Sequence, residues 1–112
     1  MTDNRLNAYH IMWLFVLFDL PVTSKKENRE AAIFRRELLK DGFVMLQYSV
    51  YIRHCASYES LAVHKKKIKA LMPETGKVSL LVVTDKQYGD IDTFFGKAAK
   101  KEIKAPVQLE LF

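Results

Sequence analysis

The chain has 112 residues, with 18 Lys and Arg against 13 Asp and Glu. That length supports one hydrophobic core and leaves no room for a separate catalytic domain, so an elaborate active site would need a second subunit. The formal charge of +5 favours a polyanionic partner without establishing one, and the single Cys55 excludes an internal disulfide and a zinc site built of cysteines, which makes the cytoplasm the expected compartment.

Residues 1–10 read as a flexible polar leader, and residues 11–112 as a single domain with a C-terminal extension. The apolar run from Met12 to Phe18 is too short to cross a bilayer, and Asn4, Arg5 and His10 before it lack the order of a signal peptide. No membrane association is expected.

Residues 11–19 form the first expected strand, apolar on both parities: Met12, Leu14, Val16 and Phe18 on one face, Trp13, Phe15 and Leu17 on the other. Both faces therefore need cover. The strand ends on Asp19, before Leu20 and Pro21. A lone carboxylate at the end of a buried strand carries a desolvation cost unless something compensates it. Asp19 is accordingly the first candidate for holding a metal or meeting its symmetry mate, with an ordinary turn-forming acid as the plainer alternative.

Ser24-x-x-Glu27 reads as a capping box opening a helix from Lys25 to Asp41, with Glu27 reaching back to the cap amide. Ala31, Phe34, Leu38 and Asp41 trace its inner stripe, and Gly42 suits its left-handed end. Two strand signals follow, Phe43 to Leu46 and Gln47 to Arg53, either one bent strand or a tight hairpin. A second helix is expected over Ser57 to Leu71, with Tyr58, Leu61, Ile68 and Met72 on one face and Lys65 near its edge, closed by Pro73. Val78 to Thr84 is a dense β-branched run typical of a strand, and Asp85 to Gly89 reads as its exit. A short helix through Phe94 and Phe95 is expected within Asp90 to Ile103, weakened by Gly96, and Val107 to Leu111 alternates like an edge strand.

The order strand, helix, two strands, helix, strand is that of an α+β, ferredoxin-like β-α-β-β-α-β domain with an added C-terminal edge strand. Helices cover one face of such a sheet. The other face would expose the second parity of the first strand, so dimerisation through the sheets is expected, with Val107, Leu109 and Leu111 free to contact a partner.

Four segments together resemble a known family: the strand end Phe18-Asp19-Leu20-Pro21, the basic helix through Arg29 and Arg36, Gln47-Tyr48-Ser49-Val50-Tyr51, and Thr84-Asp85-Lys86-Gln87-Tyr88. The chain is similar from about residue 11 onward to the small CRISPR-associated adaptation proteins, often named endoribonucleases, and its last segment resembles members found with type II systems. The resemblance implies a homodimer of ferredoxin-like domains in which Asp19 is catalytic and holds a divalent metal, Mg²⁺, across the dimer axis. It also implies a scaffold that sits between CRISPR integrase dimers and supports duplex DNA when new spacers are captured, with single-stranded RNA as a further nuclease substrate. A toxin-like metal-dependent ribonuclease is the alternative.

Mg²⁺ takes oxygen ligands and can activate water for phosphodiester cleavage, but one carboxylate per subunit is a sparse site. His10, His54 and His64 have no metal-ligand spacing. Asp85 and Asp90 would reach Asp19 only if the strand exit folds back. Tyr48 and Ser49 can orient a carboxylate or water, or simply pack. Lys25, Lys26 and Arg29 cluster at a helix start, where positive charge opposes the dipole and phosphate binding would justify it; Arg36 and Arg53 extend that basic set. Nothing promises base-edge reading, so phosphate contacts should dominate.

Overall fold

A continuous apolar run makes Met12–Asp19 the strand β1, an inner strand of a four-stranded antiparallel sheet. The computed structural model describes residues 11–98. It adds, in chain order, helix α1 (Lys25–Lys40), strands β2 (Val44–Gln47) and β3 (Val50–Cys55), helix α2 (Tyr58–Ala70), strand β4 (Lys77–Thr84) and a short helix α3 (Asp85–Gly89). The strand order is β2-β3-β1-β4, the ferredoxin-like arrangement, and the class expected from the sequence is the one observed. The leader, residues 99–103 of the segment expected to hold a short helix, and the Val107 to Leu111 strand lie outside the described residues.

The two parities of β1 divide the core as expected. Met12, Leu14, Val16 and Phe18 pack under α1 and α2 with Phe34, Leu38, Phe43, Leu61 and Ile68. Burying a large apolar side chain of this kind contributes about 1.5–3 kcal/mol, so this layer is the main source of stability. On the opposite face Phe15, Ile52 and Tyr88 form a smaller cluster, with Trp13, Leu17, Val50 and Val83 only partly covered.

Several local expectations are corrected. Ser24 does cap α1, accepting from the Glu27 N–H, but the Glu27 carboxylate binds one residue further back, accepting from the Thr23 N–H at 2.9 Å and its hydroxyl at 2.6 Å. The Thr23 hydroxyl makes that earlier partner the better one, and its bonds hold the Glu27 carboxyl below its usual range. Of the two readings of Phe43 to Arg53 the hairpin is the one observed, and its turn is Tyr48–Ser49, with an irregularity between Met45 and Gln47. On α2 the buried positions are Leu61, His64 and Ile68, whereas Tyr58 and Met72, at the helix ends, are exposed. The expected strand exit is α3, opened by a capping box between Thr84 and Gln87. Residues 91–96 carry no regular structure, so no helix runs through Phe94 and Phe95.

Buried His64 explains how the two long helices are joined. Its Nδ1 lies 2.6 Å from the Asp41 carboxylate, which also accepts from Lys67 at 3.1 Å, at the C-cap of α1. Arg53 donates to the Asp41 carbonyl at 2.9 Å and lies against Gly42, whose φ of +89° and lack of a Cβ leave room for the guanidinium.

Candidate metal and nucleic-acid site

Asp19 stands at the C-terminal end of β1, where Pro21 ends strand pairing. Its register partner is Lys77 on β4, so both side chains belong to the sheet face that α1 and α2 do not cover. Gly76 makes this approach possible. At φ +104°, a Cβ there would sit 2.7 Å from the Leu20 side chain and 3.1 Å from the Asp19 carbonyl oxygen. On the other side the Phe18 N–H donates to the Ser49 carbonyl at 3.0 Å and draws the β2–β3 turn to the end of β1. Asp19, Ser49, Lys77, Ser79 and Leu17 thereby line one shallow depression of about 310 Å³.

Asp19 is exposed in the single chain, which corrects the premise that burial forces it to find a cation. Any desolvation must come from a second molecule laid on this face. Among the described residues no three His, Cys, Asp or Glu side chains cluster in a way that could hold a metal ion. Mg²⁺ often retains several waters and uses only one or two protein carboxylates, so the exposed Asp19 carboxylate fits as one ligand of such an ion.

The other acids and histidines do not reach it. Asp85 sits beside the opposite end of β1, where it accepts from the Trp13 indole N–H at 2.8 Å. Trp13 and Asp19 are six residues apart on one strand, a separation of about 20 Å. His54 pairs in register with Trp13, and Asp90 follows α3 at that same distant end. Ser49 is brought to Asp19; Tyr48, the preceding residue, points elsewhere, with its ring against the Arg35 guanidinium at 4.1 Å.

The basic candidates separate into free and engaged groups. Lys25, Arg29 and Arg36 are exposed on α1 and fall within about 40° of arc at 100° per residue, opposite the buried stripe. Lys26 is bound to Glu74 at 2.9 Å, a pairing that raises the Lys26 pKa and lowers that of Glu74. Arg53 is committed to the end of α1. The sequence reading missed Lys77, whose relation to Asp19 depends on strand register, and Arg35, one position from Arg36 but turned toward the β2–β3 hairpin.

The sheet thus carries Asp19 on its open face and the basic helix α1 on the other. A family model described as CRISPR associated protein Cas2 matches residues 12–91. The chain belongs to that family. A relative from Flavobacterium psychrophilum, named CRISPR-associated endoribonuclease Cas2, is 48% identical over 96% of this chain and 94% of its own length. One from Parvibaculum lavamentivorans with the same name is 46% identical over 90% of this chain and 100% of its own. A third, from Paracidovorax avenae, is 41% identical over 96% and 99%. The Cas2 family span takes in Asp19, all of α1, the Tyr48–Ser49 turn and Lys77, and ends before Val107. Among the described residues, no helix is long and apolar enough to cross a membrane.

Proposed function

We propose that this Cas2-family chain acts as a homodimer in CRISPR spacer acquisition, binding duplex DNA and bridging integrase dimers, with an Asp19-dependent, Mg²⁺-requiring nuclease activity on RNA or DNA. The observation that carries the reading is the position of Asp19 on the uncovered sheet face. Leu17, Val50, Leu81 and Val83 form an apolar surface there, and Leu81 is 49% exposed. A two-fold pairing of such faces would bury that surface and set one Asp19 toward the other.

The paired Asp19 carboxylates would hold Mg²⁺, which when bound supplies water activation and charge balance for phosphodiester cleavage. The chain's own groups have separate tasks. Lys77, beside Asp19, attracts the phosphate and offsets its charge; Ser49 offers a hydroxyl that donates or accepts at the edge of the depression. Lys25, Arg29 and Arg36 supply a contact line for the phosphate backbone, with Lys26 joining it if Glu74 is displaced, and Arg53 supporting α1 from beneath. Val107, Leu109 and Leu111 are assigned to contacts within the dimer or with the integrase. The names of the relatives support the nuclease part of this reading.

Sedimentation tests it. The wild-type chain is expected to run as a dimer and to join integrase and duplex in one larger particle. Leu81→Asp, a change at an exposed position, should run as a folded monomer that fails to do so. A monomeric wild type, or a Leu81→Asp variant that still forms the particle, would remove the basis for the shared site.

A further inference from the structure

The uncovered sheet face is apolar around Leu17, Val50, Leu81 and Val83, and it carries very little charge. Among the described strand residues on that face, Asp19 is the only acid and Lys77 the only lysine or arginine. The two stand directly opposite one another, as the last register pair between β1 and β4. Side chains so placed have Cβ atoms about 5 Å apart, which lets a lysine ammonium reach the carboxylate across the strands. Gly76 holds this approach, because its backbone lies so close to Leu20 and to the Asp19 carbonyl that any Cβ would clash. Glu74, the acid nearest Lys77 in the chain, is already engaged by Lys26 at 2.9 Å. Asp19 and Lys77 are both exposed in the single chain, and both line the shallow depression beside Ser49.

A carboxylate alone on an apolar face would have to draw a cation from solution once a second molecule covered it. This face already carries a cation at the adjoining position. We propose that Lys77 is the resident counter-ion of Asp19, so that a divalent metal at Asp19 binds in competition with the Lys77 ammonium rather than at an open anionic site. In a two-fold pairing the two carboxylates and two ammonium groups sum to zero charge without any metal. A bridging ion must then push the lysines aside or bear their repulsion. Lysine suits such an exchange, being a point charge on a flexible stem that can swing to solvent or to a phosphate. This inference rests on the shared-site reading above and adds what opposes the metal there.

The test is a Mn²⁺ titration followed by electron paramagnetic resonance, which counts the free ion and reads binding without any cleavage. Mn²⁺ stands in for Mg²⁺ because both take carboxylate and water oxygens. Wild type, Lys77→Met, Lys77→Arg, Asp19→Ala and the Asp19→Ala/Lys77→Met double variant are compared free of nucleic acid. Lys77→Met is expected to bind Mn²⁺ about five-fold or more tightly than wild type, the fold-change that corresponds to about 1 kcal/mol for one surface charge pair. Lys77→Arg keeps the charge and should bind as wild type does. In the Asp19→Ala background Lys77→Met should change nothing, since its effect runs through that carboxylate. Equal or weaker binding by Lys77→Met, binding by Lys77→Arg as tight as by Lys77→Met, or the same gain in the double variant would overturn the counter-ion role. If Asp19→Ala has meanwhile lost the ion, Asp19 stands as a ligand and only the part given to Lys77 falls. Measurable binding by Asp19→Ala as strong as that of wild type, or no binding by any of the five proteins, overturns the metal site and this inference with it.

Discussion

At the scale of single residues, Asp41 and His64 show how a polar pair is kept in a small core. Burial alone would push the Asp41 carboxyl up, but the hydrogen bonds and charges of His64 and Lys67 outweigh it and hold the group below its ordinary value. A carboxyl depressed in the folded state stabilises the fold at neutral pH. That contribution fades as pH falls through the folded value, below the ordinary aspartate pKa of about 3.9. Asp41→Asn should therefore lose stability at pH 7, and its gap to wild type should close in acid, as read by urea unfolding at both pH values. His64→Ala should cost about 2 kcal/mol at neutral pH through the lost bond to a charged acceptor. The sequence placed Asp41 on the inner stripe correctly but left His64 without a role, because one position around a helix is a turn of about 100° and Lys65 stood next to it. Asp19 was legible as the acid that ends β1, whereas its exposure was not, since that depends on what covers the second face. Burial raises the Cys55 thiol pKa, in keeping with a packing rather than a nucleophilic role.

At the scale of elements, α1 carries the electrostatic half of the proposal. Its inner residues Ala31, Phe34 and Leu38 and its outer residues Lys25, Arg29 and Arg36 follow one helical period, which is why both faces could be read from the sequence. Removing the three outer charges together should weaken duplex binding and lower the slope of log affinity against log salt by about one for each side chain that contacts phosphate. Binding measured across a salt series checks this, and an unchanged slope would place the DNA elsewhere. The strands of the sheet were equally legible where β-branched and alternating residues run without interruption. The hairpin turn was not, because Tyr48–Ser49 lacks the glycine or asparagine that usually marks one. The α3 signal was present in Thr84-x-x-Gln87, a capping pattern overshadowed by the strand before it.

At the scale of the whole molecule, the sheet has one face closed by two helices and one face only partly covered by α3, and Asp19 lies at the end of the latter. The ferredoxin-like order could be derived from the succession of elements, but the cross-strand pairing of Asp19 with Lys77 and the approach of Ser49 arise only when the sheet is assembled. The central claim is that this end of the sheet is a phosphodiester-cleaving site carried by Asp19. Its most direct test is cleavage of labelled RNA and duplex DNA with Mg²⁺ by wild type and by Asp19→Ala at matched dimer concentration. Because Asp19 is exposed, the variant should keep its fold and its nucleic-acid affinity while cleavage is lost. Equal cleavage by both proteins, or none by either, would contradict an Asp19-dependent nuclease and leave the chain as a duplex-holding partner of the integrase.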